Sequence, residues 1–440
     1  MRLRPVNPIP RMPSLPRRSF IRNAALGAAV LGTWTGARAA VGAPPPLKVG
    51  VIGTGWYGVL VMRKLIEAGG AECVALCDVD SAQLEKAVAA IGERQPEKPA
   101  LFKEYEKLLE MEGLDAVVIG TPPHWHALQF IAACERGLAI YCEKPLAYDV
   151  RESRAMVAAA QRTGVPVQIG FQRRSSRLFH DVRDHVRGGH IGRVVNVDAS
   201  INYRAALADP TPVSPPNTLD WDAWCGPGPL IPYSAQTGHG HWRLEKASGN
   251  GLLVDWGIHF IDVCRWVLGT GSPRSVTAVG GIHAYVGRIT TPDTLTAHFD
   301  FDGTPVTWRH RLWGAAELYP ETNIGVTFYG EKASLFVGQN KWWTLANERG
   351  ARPEVREVQE DMQLAHARDF IEAVRQRRPA VCLPEDGHFT TTAVNLAMVA
   401  YEGGRTLRWD PAAEQVVGDP DLAARIKRDY RAPWRHPWDG

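Results

Sequence analysis

Three residues of this sequence have types and spacings that could do chemistry together: Lys144 in the run CEKPLA, and Asp255 and His259 in the run VDWGIHFID. Lys144 ends an apolar strand-like run and precedes Pro145, which holds the lysine backbone extended. At such an edge its ammonium would point into a crevice, bind a substrate hydroxyl and ease its deprotonation. Asp255 and His259 are four apart in Ser248 to Gly269, an apolar stretch that reads as a buried helix, so they share a face and can meet. A carboxylate bonded to one ring nitrogen raises the basicity of the imidazole, leaving the other nitrogen to take a proton from an alcohol. The same spacing serves a structural Asp–His tie equally well. Asp262 reads as a cap or bridge. A zinc site from Asp255, His259 and Asp262 would lack further clustered His or Cys, so no metal is expected.

A second constellation points to a nucleotide. Gly53, Gly55 and Gly58 form G-x-G-x-x-G after a strand-like run and before the helical pattern VLVMRKLIEAG. The first glycine allows a tight turn, the second lets the backbone approach a pyrophosphate, and the third lets helix and strand pack closely. Asp78 ends the next strand-like run 20 residues beyond Gly58. There a carboxylate accepts ribose hydroxyls and repels a 2′-phosphate, so NAD is expected over NADP. Thr121, Pro122 and His124 of GTPPHWH follow another buried run and are expected to line the dinucleotide.

The elements that must position these residues follow from periodicity. From Lys48 to Gly170, short β-branched runs (KVGVIG, AECVALCD, DAVVIGTPP, LAIYCEKP, VPVQIGF) alternate with amphipathic segments, which implies an α/β, doubly wound parallel sheet with ligands at the carboxyl ends of its strands. Beyond about Phe171, alternating strands with hairpin chemistry such as Asp302-Gly303 imply a second, mostly antiparallel domain. A proline-rich loop between its first strand and its main helix holds Trp221 and Trp224. With Trp242, these suit stacking on sugar faces, core packing being the other use of a tryptophan. The C-terminal arm, residues 411–440, ends in the basic and aromatic run RIKRDYRAPWRHPWDG, which reads as lying across another surface or as a frayed end.

At 440 residues and 45% hydrophobic content the chain is long enough for two cored domains. The net charge of +3 is carried by residues 1–39, which hold seven arginines and no acid. The remainder is slightly acidic, and no nucleic-acid partner is expected. Residues 1–39 have the basic stretch, apolar run and small-residue ARA site of a signal peptide, with RRSFIR at Arg17 to Arg22 like the twin-arginine motif. The expectation is folded export to the periplasm or beyond, with no membrane anchor after cleavage. The seven cysteines show no metal spacing and read as core fillers.

Taken in order, the glycine turn with Asp78, TPPHWH, EKP and DWGIHFID resemble the Gfo/Idh/MocA oxidoreductases over roughly Leu47 to Asp410. The resemblance implies a Rossmann domain at 47–170, followed at 171–410 by an α+β domain with a large open-faced sheet often used for homo-oligomerisation. By transfer, Lys144, Asp255 and His259 match the catalytic trio, and Gly53, Gly55, Gly58 and Asp78 the cofactor contacts. Trp56, Tyr57, Glu143 and Lys144 join the expected cofactor set. Gln172, Arg173, Trp242 and His259 are expected on the substrate. Phe260 stands where many secreted relatives have a second histidine, and Trp56 and Tyr57 are bulky for the glycine turn. The expected activity is NAD-dependent hydride transfer at a secondary alcohol of a sugar or glycoside, in an enzyme exported with its cofactor trapped. Two rivals remain open at this point: redox-neutral glycoside cleavage through transient ring oxidation and elimination, and a non-catalytic dinucleotide- or sugar-binding protein.

Overall fold

Six parallel strands, each a short apolar run, make the first sheet. They are β1 (Leu47–Ile52), β2 (Ala71–Cys77), β3 (Ala100–Phe102), β4 (Ala116–Ile119), β5 (Ala139–Cys142) and β6 (Val167–Ile169), in the order β3-β2-β1-β4-β5-β6. β4 and β5 are buried throughout, as strands covered by helices on both faces must be. The order reverses between β1 and β4, and that switch point opens a crevice at the strands' carboxyl ends. Helix α1 (Trp56–Glu67) follows β1, α2 (Ser81–Gly92) follows β2, α3 (Tyr105–Leu109) follows β3, α4 (His126–Glu135) follows β4, and α5 (Val150–Thr163) follows β5. This computed structural model describes residues 44–315 and 322–439; the expected signal segment lies outside them.

After α6 (Arg177–Arg187) the chain builds a ten-stranded sheet that runs from four outer strands, at Glu354–Glu357, Lys341–Ala346, Ala333–Val337 and Ile324–Gly330, through four central strands to two more at Leu407–Asp410 and Gln415–Val416. Its central strands are β7 (Val194–Asn202), β10 (Thr304–Arg311), β9 (Thr294–Phe301) and β8 (Ser275–Gly281). Pairing is antiparallel except between β10 and β7. Alternation puts Val306, Trp308 and His310 of β10 inward, while Pro305 and Arg309 face outward. Helix α7 (Trp221–Cys225) lies in the proline-rich loop, and α8 (Ile258–Leu268) packs on the buried face of the sheet.

Two sequence expectations change. The stretch read as one helix from Ser248 is a turn, then a π-helical turn at Leu253–Gly257, then α8. Helix α9 (Met362–Gln376), inside the span assigned to the second domain, buries Ala367, Phe370 and Ile371 against Val49, Val51 and Tyr141 of the first sheet. The change at residue 170 is therefore one of architecture within a single unit, Pro45–Gly440. α10 (Pro384–Gly403), buried along most of its length, packs beside α5 and β8. All seven cysteines are unpaired and buried.

Candidate active site

The glycine turn separates what the fold needs from what a ligand needs. Gly53 has φ +86°, and a Cβ there would meet the Thr121 backbone nitrogen at 2.5 Å. A Cβ on Gly58 would lie 2.1 Å from the Gly53 carbonyl oxygen. Both glycines are demanded by the protein's own packing. Gly55 is different: a Cβ there meets nothing within 4 Å. It is the N-cap of α1 with no side-chain capping bond, so the first amides of the helix face open space, the arrangement that binds phosphate. Asp78 stands across the same cleft, its Oδ2 accepting from the Thr54 amide (2.8 Å) and hydroxyl (3.1 Å) and its Oδ1 from the Asp80 amide (3.0 Å). Burial raises its pKa, and these donors partly offset the rise. The cleft measures about 780 Å³, is largely apolar, and is lined by Gly53, Gly55, Tyr57, Asp78, Thr121 and Pro122 among others. A glycine cradle, a free helix terminus and a facing carboxylate fit a dinucleotide.

His124 does not line this cleft. Its ring is buried, its Nε2 donates to the Trp224 carbonyl at 2.8 Å, and burial pulls its pKa down to about 3. Trp125 takes the lining position instead, and Gln129, bonded to Thr121 Oγ1 at 2.7 Å, stands beside it. Trp56 is 65% exposed at the cleft mouth. Tyr57 lines the cleft, and its hydroxyl accepts from Gln172 Nε2 (3.2 Å) and Gln363 Nε2 (2.8 Å).

Lys144 leaves the end of β5 at a cis Lys144–Pro145 peptide, and its Nζ donates to the Asp255 Oδ1 (2.9 Å) and backbone oxygen (2.7 Å). Arg243 approaches the other carboxylate oxygen, Nε to Oδ2 3.3 Å. Burial works against the Asp255 carboxylate, but Lys144 and Arg243 outweigh it and hold its pKa below the usual range. The expected Asp255–His259 bond is not formed. Asp255 lies in the π-helical turn and His259 in the first turn of α8, and two cations claim the carboxylate with stronger, charge-assisted bonds. His259 is buried against Phe171 and Trp256, and its Nδ1 has no hydrogen-bond partner among the described residues. Burial, with Arg173 and Lys144 nearby, drives its pKa well down and keeps the ring neutral.

Two further side chains are left open among the described residues. Glu143 Oε2 accepts from the Lys144 amide at 3.2 Å while Oε1 is buried and unpartnered, and burial pushes this carboxyl up to about 8. Arg173, 7% exposed, lies over Phe260 at 4.8 Å with its Nε unpartnered, and burial brings it down to about 10.

The aromatic loop divides. Trp221 and Trp224 stack on each other at 4.5 Å in a small core with Leu219 and Cys225, and of the two only Trp224 lines the cleft. Trp242 does line the cleft, with Arg243 over its ring at 4.5 Å. Asp262 is held by Arg174 (2.9 Å to each oxygen) and Thr390 (2.9 Å). With both carboxylates claimed by cations, Asp255, His259 and Asp262 are not arranged for zinc.

Sequence reasoning missed Arg243, which lines the nucleotide cleft and touches Asp255, thereby joining the two halves of the site. Its signal was adjacency to Trp242. Trp434, which also lines the cleft, was visible only as an aromatic in the tail.

Three family models match the chain in succession: an oxidoreductase family, NAD-binding Rossmann fold, at residues 47–171; a GFO/IDH/MocA C-terminal domain at 179–336; and an oxidoreductase family C-terminal alpha/beta domain at 346–436. The chain is 25% identical over 378 residues to the scyllo-inositol 2-dehydrogenase (NAD(+)) of Bacillus subtilis, covering 83% of this chain and 96% of that protein. To the D-apiose dehydrogenase of Paraburkholderia graminis it is 27% identical over 305 residues, 69% of this chain and 71% of the other. In structure it resembles a levoglucosan dehydrogenase in complex with NADH and levoglucosan, with a TM-score of 0.64 at 18% identity over 82% of this chain and 99% of that one.

Proposed function

We infer that this chain, which belongs to the GFO/IDH/MocA oxidoreductase family and is an NAD-binding, carbohydrate-acting oxidoreductase, moves a hydride at a secondary alcohol of a cyclic sugar, polyol or glycoside. The amides at Gly55 and the start of α1 hold the pyrophosphate, and Asp78 holds the adenosine ribose. Bound NAD supplies the hydride acceptor or donor at its nicotinamide ring. Lys144 binds the reacting hydroxyl and stabilises negative charge on its oxygen. His259, kept neutral by burial, takes the hydroxyl proton. Asp255 fixes the lysine ammonium rather than the imidazole, and Arg243 fixes Asp255.

One observation carries this reading: joined through Arg243 to a cleft built for a dinucleotide, a lysine ammonium is pinned in place while a buried neutral imidazole keeps a ring nitrogen without a partner among the described residues. The enzyme is exported folded by the twin-arginine route and assembles through its open sheet. The Arg17 to Arg22 motif and the unpaired cysteines support the first statement, and the exposed outer face of β8 to β10 supports the second. The test is to denature the purified protein, identify the released nicotinamide and its redox state, and then offer inositols, aldoses and glycosides to the intact protein. A keto product with a matching change in cofactor redox state supports the reading. Bound-cofactor protein that oxidises and reduces none of these compounds refutes it.

A further inference from the structure

The end of the chain lies against the nucleotide cleft. Trp434, half-buried, lines the cleft together with Asp78, Tyr105 and Trp125. Its ring meets Trp125 edge to face at 5.6 Å, and Trp125 meets Tyr105 at 5.8 Å, so three aromatic rings form a continuous wall. Asp78 at the end of β2 marks the ribose of the adenosine half, and Tyr105 follows β3, the next strand outward. The wall therefore stands at the adenine end, remote from Lys144 and His259.

The segment carrying Trp434 is fastened on both sides of it. On the near side, Arg428 donates to Glu152 (2.7 Å) and to the His124 carbonyl (2.7 Å), and Tyr430 donates to Glu152 (2.7 Å). Arg431 donates to Asp222 Oδ1 (2.6 Å) and to the Asp222 (2.9 Å) and Gly226 (3.0 Å) carbonyls, binding the tail to the aromatic loop. On the far side, His436 Nε2 meets Asp149 at 3.0 Å, and Lys427 closes the tail on itself through Asp439. These anchors join α5, the loop after β4 and the aromatic loop, and the last two border the cleft. An aromatic ring so fixed contributes apolar area to a ligand at little entropic cost, and release of that ligand then needs the tail to loosen.

We propose that the C-terminal segment is part of the cofactor site, with Trp434 closing the adenine end so that NAD leaves slowly and is not freely exchanged between turnovers. The proposal rests on NAD occupying this cleft and deepens that reading by naming what retains it.

The test measures release of NADH from the full-length, loaded protein by the loss of its bound fluorescence after dilution into an NADH-consuming enzyme. Trp434→Ala is expected to release NADH about tenfold faster, the scale of one lost aromatic contact. Trp434→Phe should restore most of the slow rate. Trp438→Ala removes a tail tryptophan that sits over Arg151 outside the cleft and should release as the unaltered protein does. If Trp434→Ala fails to fold, Arg431→Ala is the second reading and should also speed release. Equal release rates for the unaltered protein and Trp434→Ala, or equal acceleration by Trp438→Ala, would overturn the proposal. Fast release from the unaltered protein would do the same. A protein that takes up no NADH at all would instead sink the functional reading.

Discussion

Two buried ionic clusters are finished to different degrees. Around Asp149 and Glu152 all four carboxylate oxygens are used: Asp149 caps α5 through the Glu152 amide (2.8 Å) and accepts from the Arg428 amide and His436, while Glu152 accepts from the Tyr148 amide, Arg428 and Tyr430. Ligand atoms of Asp149, Glu152 and His436 lie within 4.8 Å of one another, a spacing that could suit a metal. Arg428 and Tyr430 already occupy that space, so this is a hydrogen-bonded clasp. Around Asp255 the carboxylate is held by Lys144 and Arg243, yet among the described residues His259 Nδ1, Glu143 Oε1 and Arg173 Nε close by are buried without partners. Buried polar atoms are normally paired. The first cluster satisfies its carboxylates and leaves Arg428 Nη1 open, whereas the second leaves an imidazole, a carboxyl and a guanidinium atom open together, the pattern expected where a ligand completes a site.

The sharpest way to break this contrast is to remove the open cluster's chemistry. Lys144→Ala and His259→Ala should each lower kcat by roughly 10²- to 10⁴-fold while the protein still co-purifies with NAD. Unchanged turnover in either variant would return that residue to the scaffold. In the closed cluster the effect should fall on stability. Arg428→Ala leaves the fully buried Glu152 uncompensated and should cost about 3–5 kcal/mol in urea unfolding. A loss under about 1 kcal/mol would show that the clasp is dispensable.

Within the glycine turn the same contrast appears on a smaller scale. Gly55→Ala should weaken NAD binding by about tenfold or more with stability unchanged to about 0.5 kcal/mol, since its Cβ points into open space. Gly58→Ala should instead lower the unfolding midpoint, because its Cβ collides with the Gly53 carbonyl.

The smallest effect is on pH dependence. Burial lowers His124 to about 3 and His310 and His366 to about 4, and these rings are neutral when folded. Below about pH 6.5 the unfolded chain binds protons that the folded chain refuses, so stability falls as pH drops through that range. Glu143, raised to about 8, works the other way: the folded state holds its proton more tightly, and that contribution is lost as pH rises from the ordinary carboxylate range to about 8. Urea midpoints should therefore peak near pH 6.5. Glu143→Gln should flatten the alkaline side and leave the acid side in place.

Local physics made much of this legible. The glycine spacing, the strand-end Asp78 and the EKP run are each decided within a few residues of chain, because backbone sterics and strand alternation act at short range. The parallel sheet could be read from its apolar runs, apart from β3, an edge strand whose residues are exposed or half-buried and so show no buried run. Which partner a buried charge takes was not legible. Asp255 and His259 are four apart in sequence, yet Asp255 binds Lys144, 111 residues away, and Arg243 from the loop before it. His124 likewise turned from the cleft to Trp224, 100 residues on, and Trp434 reached the cleft from the far end of the chain. Sequence alone determined the types of groups present and the turn that receives a nucleotide. Only the tertiary structure decided their pairing, because desolvated charges and ring nitrogens take whichever partners packing brings within about 3 Å, and that choice depends on the whole chain.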